Sequence, residues 1–278
     1  MGKQLPLLGV GTFQLKEEAT LVPVLDSAFK MGIRLIDTAQ SYKNEEIIGR
    51  NLSNLLSKHT LKRSDVYVIS KLDPKYQGKL KAAESISKTI RYFDGYIDAM
   101  LIHWPGASKM KSDDPQILEL RRQSWDVLEE FQREGKIGAI GVSNYTLDHL
   151  KELLTYCSSK PTIIQNEYHP KFQECELLEF CRDNNIRFMG YSPFGQGKLL
   201  SDPIICKVAD KHSVPPSMVL IKWCISHNVS CIPRTSQPER ISENFGLLGN
   251  LELDESDLEV IAGLNDGTKY CWDPRRVI

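Results

Sequence analysis

Short apolar runs rich in β-branched residues alternate along this chain with longer stretches whose apolar positions recur at a helical period. The short runs predict strands at Leu7–Thr12, Ile33–Thr38, Val66–Leu72, Ala99–His103, Ile137–Ser143, Ile163–Glu167, Ile186–Ser192 and Val229–Arg234. The longer stretches predict helices at about Glu17–Met31, Asn44–Lys58, Lys79–Tyr92, Gln116–Glu134, Leu147–Cys157, Glu174–Asp183, Ser217–His227 and Glu239–Leu247. Gly32 and Gly135 stand where a helix C-terminus favours a left-handed residue, and Pro215-Pro216 opens the seventh helix. Most strand runs are continuously apolar rather than alternating, as a sheet covered on both faces requires. Eight strands, each followed by a helix, is the count of an α/β (β/α)8 TIM barrel. One extra C-terminal helix is predicted at Asp254–Leu264. With no linker, low-complexity stretch or fixed repeat, residues 1–278 read as one barrel domain.

A doubly wound sheet is the competing fold. Its dinucleotide fingerprint needs a third glycine that Gly9-Val10-Gly11-Thr12-Phe13-Gln14 lacks, and no acidic residue stands at the expected distance. A Walker A loop, a His-Glu-x-x-His helix and a His-x-His strand end are absent too, so no metal site is expected. The length of 278 residues suits one barrel, and 41% hydrophobic with 26% charged residues is the composition of a soluble globular protein. A net charge of −1 counts against nucleic acid or an anionic membrane as the main partner. No apolar run reaches the ~18 residues of a membrane helix, and Met1-Gly2-Lys3-Gln4-Leu5-Pro6 carries neither a signal-peptide core nor the Ser or Thr of a myristoylation site. Seven scattered cysteines without a Cys-x-x-Cys pair read as reduced thiols in a cytoplasmic protein, where the sequons at Asn51, Asn144 and Asn228 have no meaning.

Chemistry in such barrels sits at the C-terminal ends of the strands. Those ends here carry Thr12, Asp37, Lys71, His103, Ser143-Asn144, Gln165, Glu167, Tyr191-Ser192 and Arg234-Thr235. Each has a plain alternative: Lys71 neutralises Asp37, His103 is a hydrogen-bonded core histidine, Tyr191 is a core aromatic. One polar group at nearly every strand end nevertheless points to a shared site. Asp37 and Lys71, on adjacent strands, are expected to form a partly buried ion pair. The stretch Ile36-Asp37-Thr38-Ala39-Gln40-Ser41-Tyr42 then places Tyr42 over the barrel mouth, its pKa expected to fall beside Lys71. Tyr42 as general acid with His103 on the same oxygen suits protonation of an oxygen that is gaining charge. Amides Asn144 and Gln165 with Ser143 suit a carboxamide, and Tyr191 suits stacking on a flat ring. The turn Ile232 to Arg240 opens a helix where barrels often bind phosphate, and a basic turn is otherwise merely solvated.

Taken together, these residues resemble the aldo-keto reductase family over essentially the full chain. The resemblance rests on Gly11-Thr12-Phe13, Ile36-Asp37-Thr38-Ala39 through Tyr42, Ser70-Lys71-Leu72, Leu101-Ile102-His103-Trp104-Pro105, Ala139 to Asn144, Gln165 to Pro170, Tyr191 to Gly197 and Glu239 to Asn244. It implies NADPH-dependent reduction of a small-molecule aldehyde or ketone, with NADPH/NADP+ as cofactor and Asp37, Tyr42, Lys71 and His103 as the catalytic tetrad. It further implies that Thr12, Asp37, Ser143, Asn144, Gln165 and Tyr191 line the nicotinamide end. Ser192, Phe194 and Gln196 would meet the pyrophosphate, Arg234, Thr235, Arg240 and Asn244 the adenosine phosphate, and Glu243 the adenine. Phe13 and Trp104 join Tyr42 and His103 around the substrate. Family precedent implies a monomer.

Three departures stand out. Arg234-Thr235 replaces the usual Lys-Ser, the N-terminal hairpin is expected to be truncated, and the loop after Tyr191 and the tail after Leu264 are short. Such a compact tail resembles members acting on small or varied carbonyls, including prostaglandin-type reductases. A non-catalytic NADP(H)-binding sensor or structural protein on the same barrel is the alternative, and an intact tetrad counts against it. A Schiff-base aldolase using Lys71 leaves Tyr42 and the arginine turn unexplained.

Overall fold

The computed structural model describes residues 3–246 and 248–278. Its strands are β1 Val10–Gly11, β2 Leu35–Asp37, β3 Tyr67–Leu72, β4 Ile97–Ile102, β5 Ile137–Ser143, β6 Ile163–Glu167, β7 Arg187–Tyr191 and β8 Ser230–Cys231. Between and after them lie α1 Glu18–Lys30, α2 Glu45–Lys58, α3 Lys79–Tyr92, α4 Gln116–Arg133, α5 Leu147–Tyr156, α6 Cys175–Asp183, α7 Pro203–His212, α8 Pro216–Ser226, α9 Glu239–Phe245 and α10 Glu255–Ala262.

The eight strands form one parallel sheet in chain order. Backbone hydrogen bonds from Gly9 N to Cys231 O (2.9 Å), Cys231 N to Leu7 O (2.8 Å) and Gly11 N to Pro233 O (3.0 Å) join its first and last strands. The curled sheet is thereby closed in the manner of a (β/α)8 barrel. Register brings the strand ends level: Gly11 lies opposite Asp37, Leu72 opposite Ile102, Ser143 opposite Gln165, and Glu167 opposite Tyr191.

Strand side chains alternate faces, so residues two apart share one. On the barrel's inner face this stacks apolar residues beneath polar ones: Leu35 under Asp37, Ile69 under Lys71, Ile163 under Gln165, Met189 under Tyr191. Leu35, Tyr67, Ile69, Leu101, Ile163, Met189 and Ile232 fill the lumen as one small buried cluster. A larger cluster, including Trp125, Trp223, Leu21, Leu25 and Ile140, lies between sheet and helices. The lumen is a packed plug with chemistry at one end.

The observed elements depart from the sequence pattern at several places. β1 and β8 are two residues each rather than the six predicted for each, because Pro233 has no N–H to continue the ladder and single bonds tie the flanking residues. Helix α7 occupies a stretch with no predicted element; Asp202 caps it by accepting from Ile204 N and Ile205 N, with Pro203 at its first position. Helix α9 ends at Phe245, short of the predicted Leu247, which lies outside the described residues. Among the described residues, no helix is long and apolar enough to cross a membrane.

Candidate active site

The mouth is built on a buried ion pair. Lys71 Nζ donates to Asp37 Oδ1 at 2.8 Å, to Thr38 O at 2.9 Å and to the phenol oxygen of Tyr42 at 3.3 Å. The Lys71 side chain has no exposed surface and that of Asp37 is 3% exposed, so the pair is fully rather than partly buried. The second carboxylate oxygen of Asp37 accepts from Gln165 Nε2 at 2.7 Å. Asp37 is thus held by a cation on β3 and an amide on β6, from opposite sides of the lumen.

Gln165 extends the network. Its backbone carbonyl accepts from Ser143 Oγ at 2.8 Å and from Asn144 N at 3.0 Å. Asn144 takes φ 62°, in the left-handed region that asparagine tolerates better than most residues. From there its amide donates to His103 O (2.9 Å) and Ser143 Oγ (3.1 Å) and accepts from the Tyr191 hydroxyl (2.7 Å). Asp37, Lys71, His103, Ser143, Asn144, Gln165 and Tyr191, predicted at strand ends, and Tyr42, predicted on the loop after Asp37, therefore form one connected set.

Burial governs the titration. It pushes the Tyr42 phenol well above its ordinary range, with the Asp37 carboxylate and Cys271 adding to the effect. This corrects the expectation that Lys71 lowers it: desolvation and Asp37 outweigh the ammonium. Burial pulls Lys71 below the ordinary lysine range while Asp37 acts to restore it. His103 is pushed down to about 3 by burial and by the charge of Lys71, so its ring is neutral at physiological pH. Its Nδ1 stands 3.3 Å from the Ser41 hydroxyl, and its ring meets Tyr42 edge-on at 5.6 Å between centroids.

Phe13, 39% exposed, packs on Tyr42 with centroids 5.1 Å apart, and Trp272 meets Phe13 edge-on at 6.1 Å. Trp104 is half-buried beside His103. Sequence reading missed Trp272, Ser41 and Asn44. Asn44 is buried and ties two loops together, donating to Thr12 O and Leu15 O at 2.9 Å each and accepting from Thr38 Oγ1 at 2.6 Å. Its place at the start of the predicted helix Asn44–Lys58 concealed this role. Thr12 is buried and donates to Asp37 O at 2.9 Å.

Other predicted residues lie apart from this centre. Ser192 Oγ is 3.4 Å from Cys271 Sγ, and Gln196 Nε2 donates to Tyr270 O at 2.7 Å, so both face the C-terminal tail; Phe194 is half-buried nearby. The tail is anchored by Glu167, which accepts from Tyr270 N (2.7 Å), His169 Nε2 (3.0 Å) and Lys269 Nζ (2.9 Å). Burial alone would raise that carboxyl; the His169 hydrogen bond and Lys269 hold it below the ordinary value. Arg234 contacts Gln14 Oε1, and the two flank a cleft of ≈ 420 Å³ also lined by Lys16, Glu17, Thr20 and Ser236. Thr235 Oγ1 accepts from Gln237 N at 3.0 Å; Arg240 and Glu243 are exposed and Asn244 is buried on α9. Among the described residues no group of three or more His, Cys, Asp or Glu side chains is placed to hold a metal ion.

This arrangement coincides with a match of residues 7–266 to the family model described as the aldo/keto reductase family. The chain belongs to the aldo/keto reductase family. Its members are oxidoreductases that act on carbonyl groups. Over 280 residues the chain is 33% identical to a glyoxal reductase of Bacillus subtilis, covering 100% of this chain and 95% of that one. It is 34% identical over 276 residues to a 9,11-endoperoxide prostaglandin H2 reductase of Trypanosoma cruzi, covering 98% of this chain and 92% of the relative. Among solved structures, MGS-M4, an aldo-keto reductase from a deep-sea metagenome library, superposes with a TM-score of 0.88 at 31% identity, over 99% of this chain and 97% of that one.

Proposed function

We propose that this aldo/keto reductase reduces small aldehydes or ketones to alcohols with NADPH, Tyr42 giving the proton. One observation carries the reading: the Tyr42 hydroxyl lies 3.3 Å from the Lys71 ammonium, with Asp37 2.8 Å behind it, at an open mouth walled by aromatic rings. A lysine buried only to neutralise an aspartate gains nothing from that third contact.

Bound reduced nicotinamide supplies a hydride. The residues present fit such a group. Ser143, Asn144 and Gln165 offer hydroxyl and amides for its carboxamide, and the Tyr191 ring, pinned by Asn144, offers a flat face. Thr12 and Asp37 line the same end, and Ser192, Phe194 and Gln196 hold the pyrophosphate. Arg234, Thr235, Arg240 and Asn244 receive the adenosine phosphate, with Glu243 at the adenine. Arg234 and Lys16 against the single carboxylate of Glu17 leave their cleft net positive, which supports the phosphorylated cofactor.

The residues then act on the carbonyl oxygen. Tyr42 is protonated throughout the neutral range and gives up its phenolic proton as the oxygen gains charge; the Lys71 ammonium stabilises the phenolate left behind, and Asp37 keeps Lys71 aimed. Neutral His103, with Ser41 at Nδ1, presents Nε2–H to the same oxygen. Phe13 and Trp104 line the substrate's remainder. A glyoxal reductase among the relatives supports a small carbonyl as substrate, and a prostaglandin H2 reductase, whose named target is an endoperoxide, supports a scope wider than one carbonyl class. The chain acts as one barrel domain with α10 as an added helix, a cytoplasmic monomer.

Purified protein is mixed with NADPH and a panel of dicarbonyls, aromatic aldehydes and keto-prostanoids. Loss of reduced-nicotinamide absorbance with at least one carbonyl is expected. Tight NADPH binding with no turnover across the panel overturns the catalytic reading.

A further inference from the structure

Behind the mouth, the backbone carbonyls of His103, Trp104, Pro105 and Gly106 follow one another in a turn, and each accepts a side-chain N–H. Asn144 Nδ2 donates to His103 O at 2.9 Å and Arg121 Nη1 to Pro105 O at 3.3 Å. Gln77 Nε2 donates to both Trp104 O and Gly106 O, at 2.8 Å each. These donors come from three places: the end of β5, helix α4 and the short turn after β3. A peptide segment outside helix or sheet must find partners for its polar atoms. Here buried side chains from neighbouring elements supply all four.

Gln77 is the unusual member. It is 4% exposed, and because both neighbours are carbonyls that only accept, the nitrogen end of its amide must face them. That orientation leaves Gln77 Oε1 buried without a partner among the described residues. A buried acceptor left unmet is uncommon, and it marks an orientation dictated by the turn. The base of Gln77 is itself fixed, since Gly78 N donates to Ser124 Oγ on α4 at 2.9 Å. On the far side of the turn stands the imidazole of His103, 5.6 Å from the Tyr42 ring.

We propose that Gln77 is a positioning residue of this reductase: by clamping the carbonyls on either side of Pro105 it sets where His103 stands relative to Tyr42. The proposal rests on the reading that His103 touches the substrate oxygen. Gln77 touches neither substrate nor cofactor and acts only through the turn.

A double-mutant comparison tests it. Gln77→Met keeps side-chain length and removes both donors. Steady-state kcat and KM with a carbonyl substrate, and NADPH affinity by fluorescence titration, are measured for Gln77→Met, His103→Ala and the double variant. Misplacement of His103 is expected to lower kcat/KM about tenfold in the otherwise native chain while NADPH affinity is unchanged. In the His103→Ala background the same substitution is expected to cost nothing further, because two residues acting through one contact are not additive. Should Gln77→Met fail to fold, Gln77→Asn, which keeps the amide but withdraws it by one methylene, is run the same way. Equal losses in both backgrounds, or no loss in the native one, overturn the proposal. A His103→Ala protein with full activity instead overturns the reading of His103, and this inference with it.

Discussion

Lys71→Met strikes the ion pair on which the mouth is built. The two charges are 2.8 Å apart with almost no exposed surface, an attraction of about 6 kcal/mol at an effective dielectric of about 20. Much of that offsets the desolvation of both ions. Methionine removes the attraction but leaves the desolvation of Asp37, and Thr38 O loses a donor at 2.9 Å. The expected loss is about 3–5 kcal/mol, on the order of 10 °C in Tm for a chain of this size. Guanidinium unfolding, followed by tryptophan fluorescence at neutral pH, reads it for Lys71→Met, Asp37→Asn and the double variant. The double variant is expected to regain most of what Lys71→Met loses. Native-like stability of Lys71→Met, or a double variant as unstable as the two singles summed, refutes the reasoning.

His103 is held neutral down to about 3 from an ordinary 6.5, so between those values the unfolded chain binds a proton that the folded chain excludes. Stability falls as pH drops through that window, and His103→Asn should flatten the slope in urea titrations. Arg234→Ala with Arg240→Ala should remove most of a roughly hundredfold preference for NADPH over NADH, with NADH affinity barely changed in fluorescence titrations. Equal losses for both cofactors would place these arginines elsewhere on the cofactor or in the scaffold. Asn44→Ala should cost about 3 kcal/mol in thermal unfolding, because three buried partners lose their bonds. It should also raise KM by loosening the loop that carries Phe13.

Much of the site was legible because a strand's period of two residues is rigid. Once Leu35 and Ile69 face the lumen, Asp37 and Lys71 must face its mouth, and adjacent strands make them a pair. The direction of the Tyr42 shift was not legible, since it depends on how deeply the ring is desolvated, and the spacing from Asp37 to Tyr42 says nothing of that. Helix α7 was missed although Asp202-Pro203 is a sound start signal, because its apolar positions Ile204, Ile205, Val208 and Ala209 span barely two turns. Glu167 stood in the inventory of strand ends, yet its partners Lys269 and Tyr270 lie about a hundred residues on, beyond any local pattern. Gln77 and Asn44 were hidden for the same reason: their partners are backbone atoms of distant loops.

The most direct test of the central claim is Tyr42→Phe. It deletes one hydroxyl while keeping the ring that packs on Phe13 at 5.1 Å and meets His103 at 5.6 Å. Carbonyl reduction by the variant should fall ~10²–10⁴-fold in kcat, the range of a lost general acid, with NADPH affinity and Tm unchanged. A folded Tyr42→Phe protein that binds NADPH and reduces carbonyls at the native rate would contradict the account.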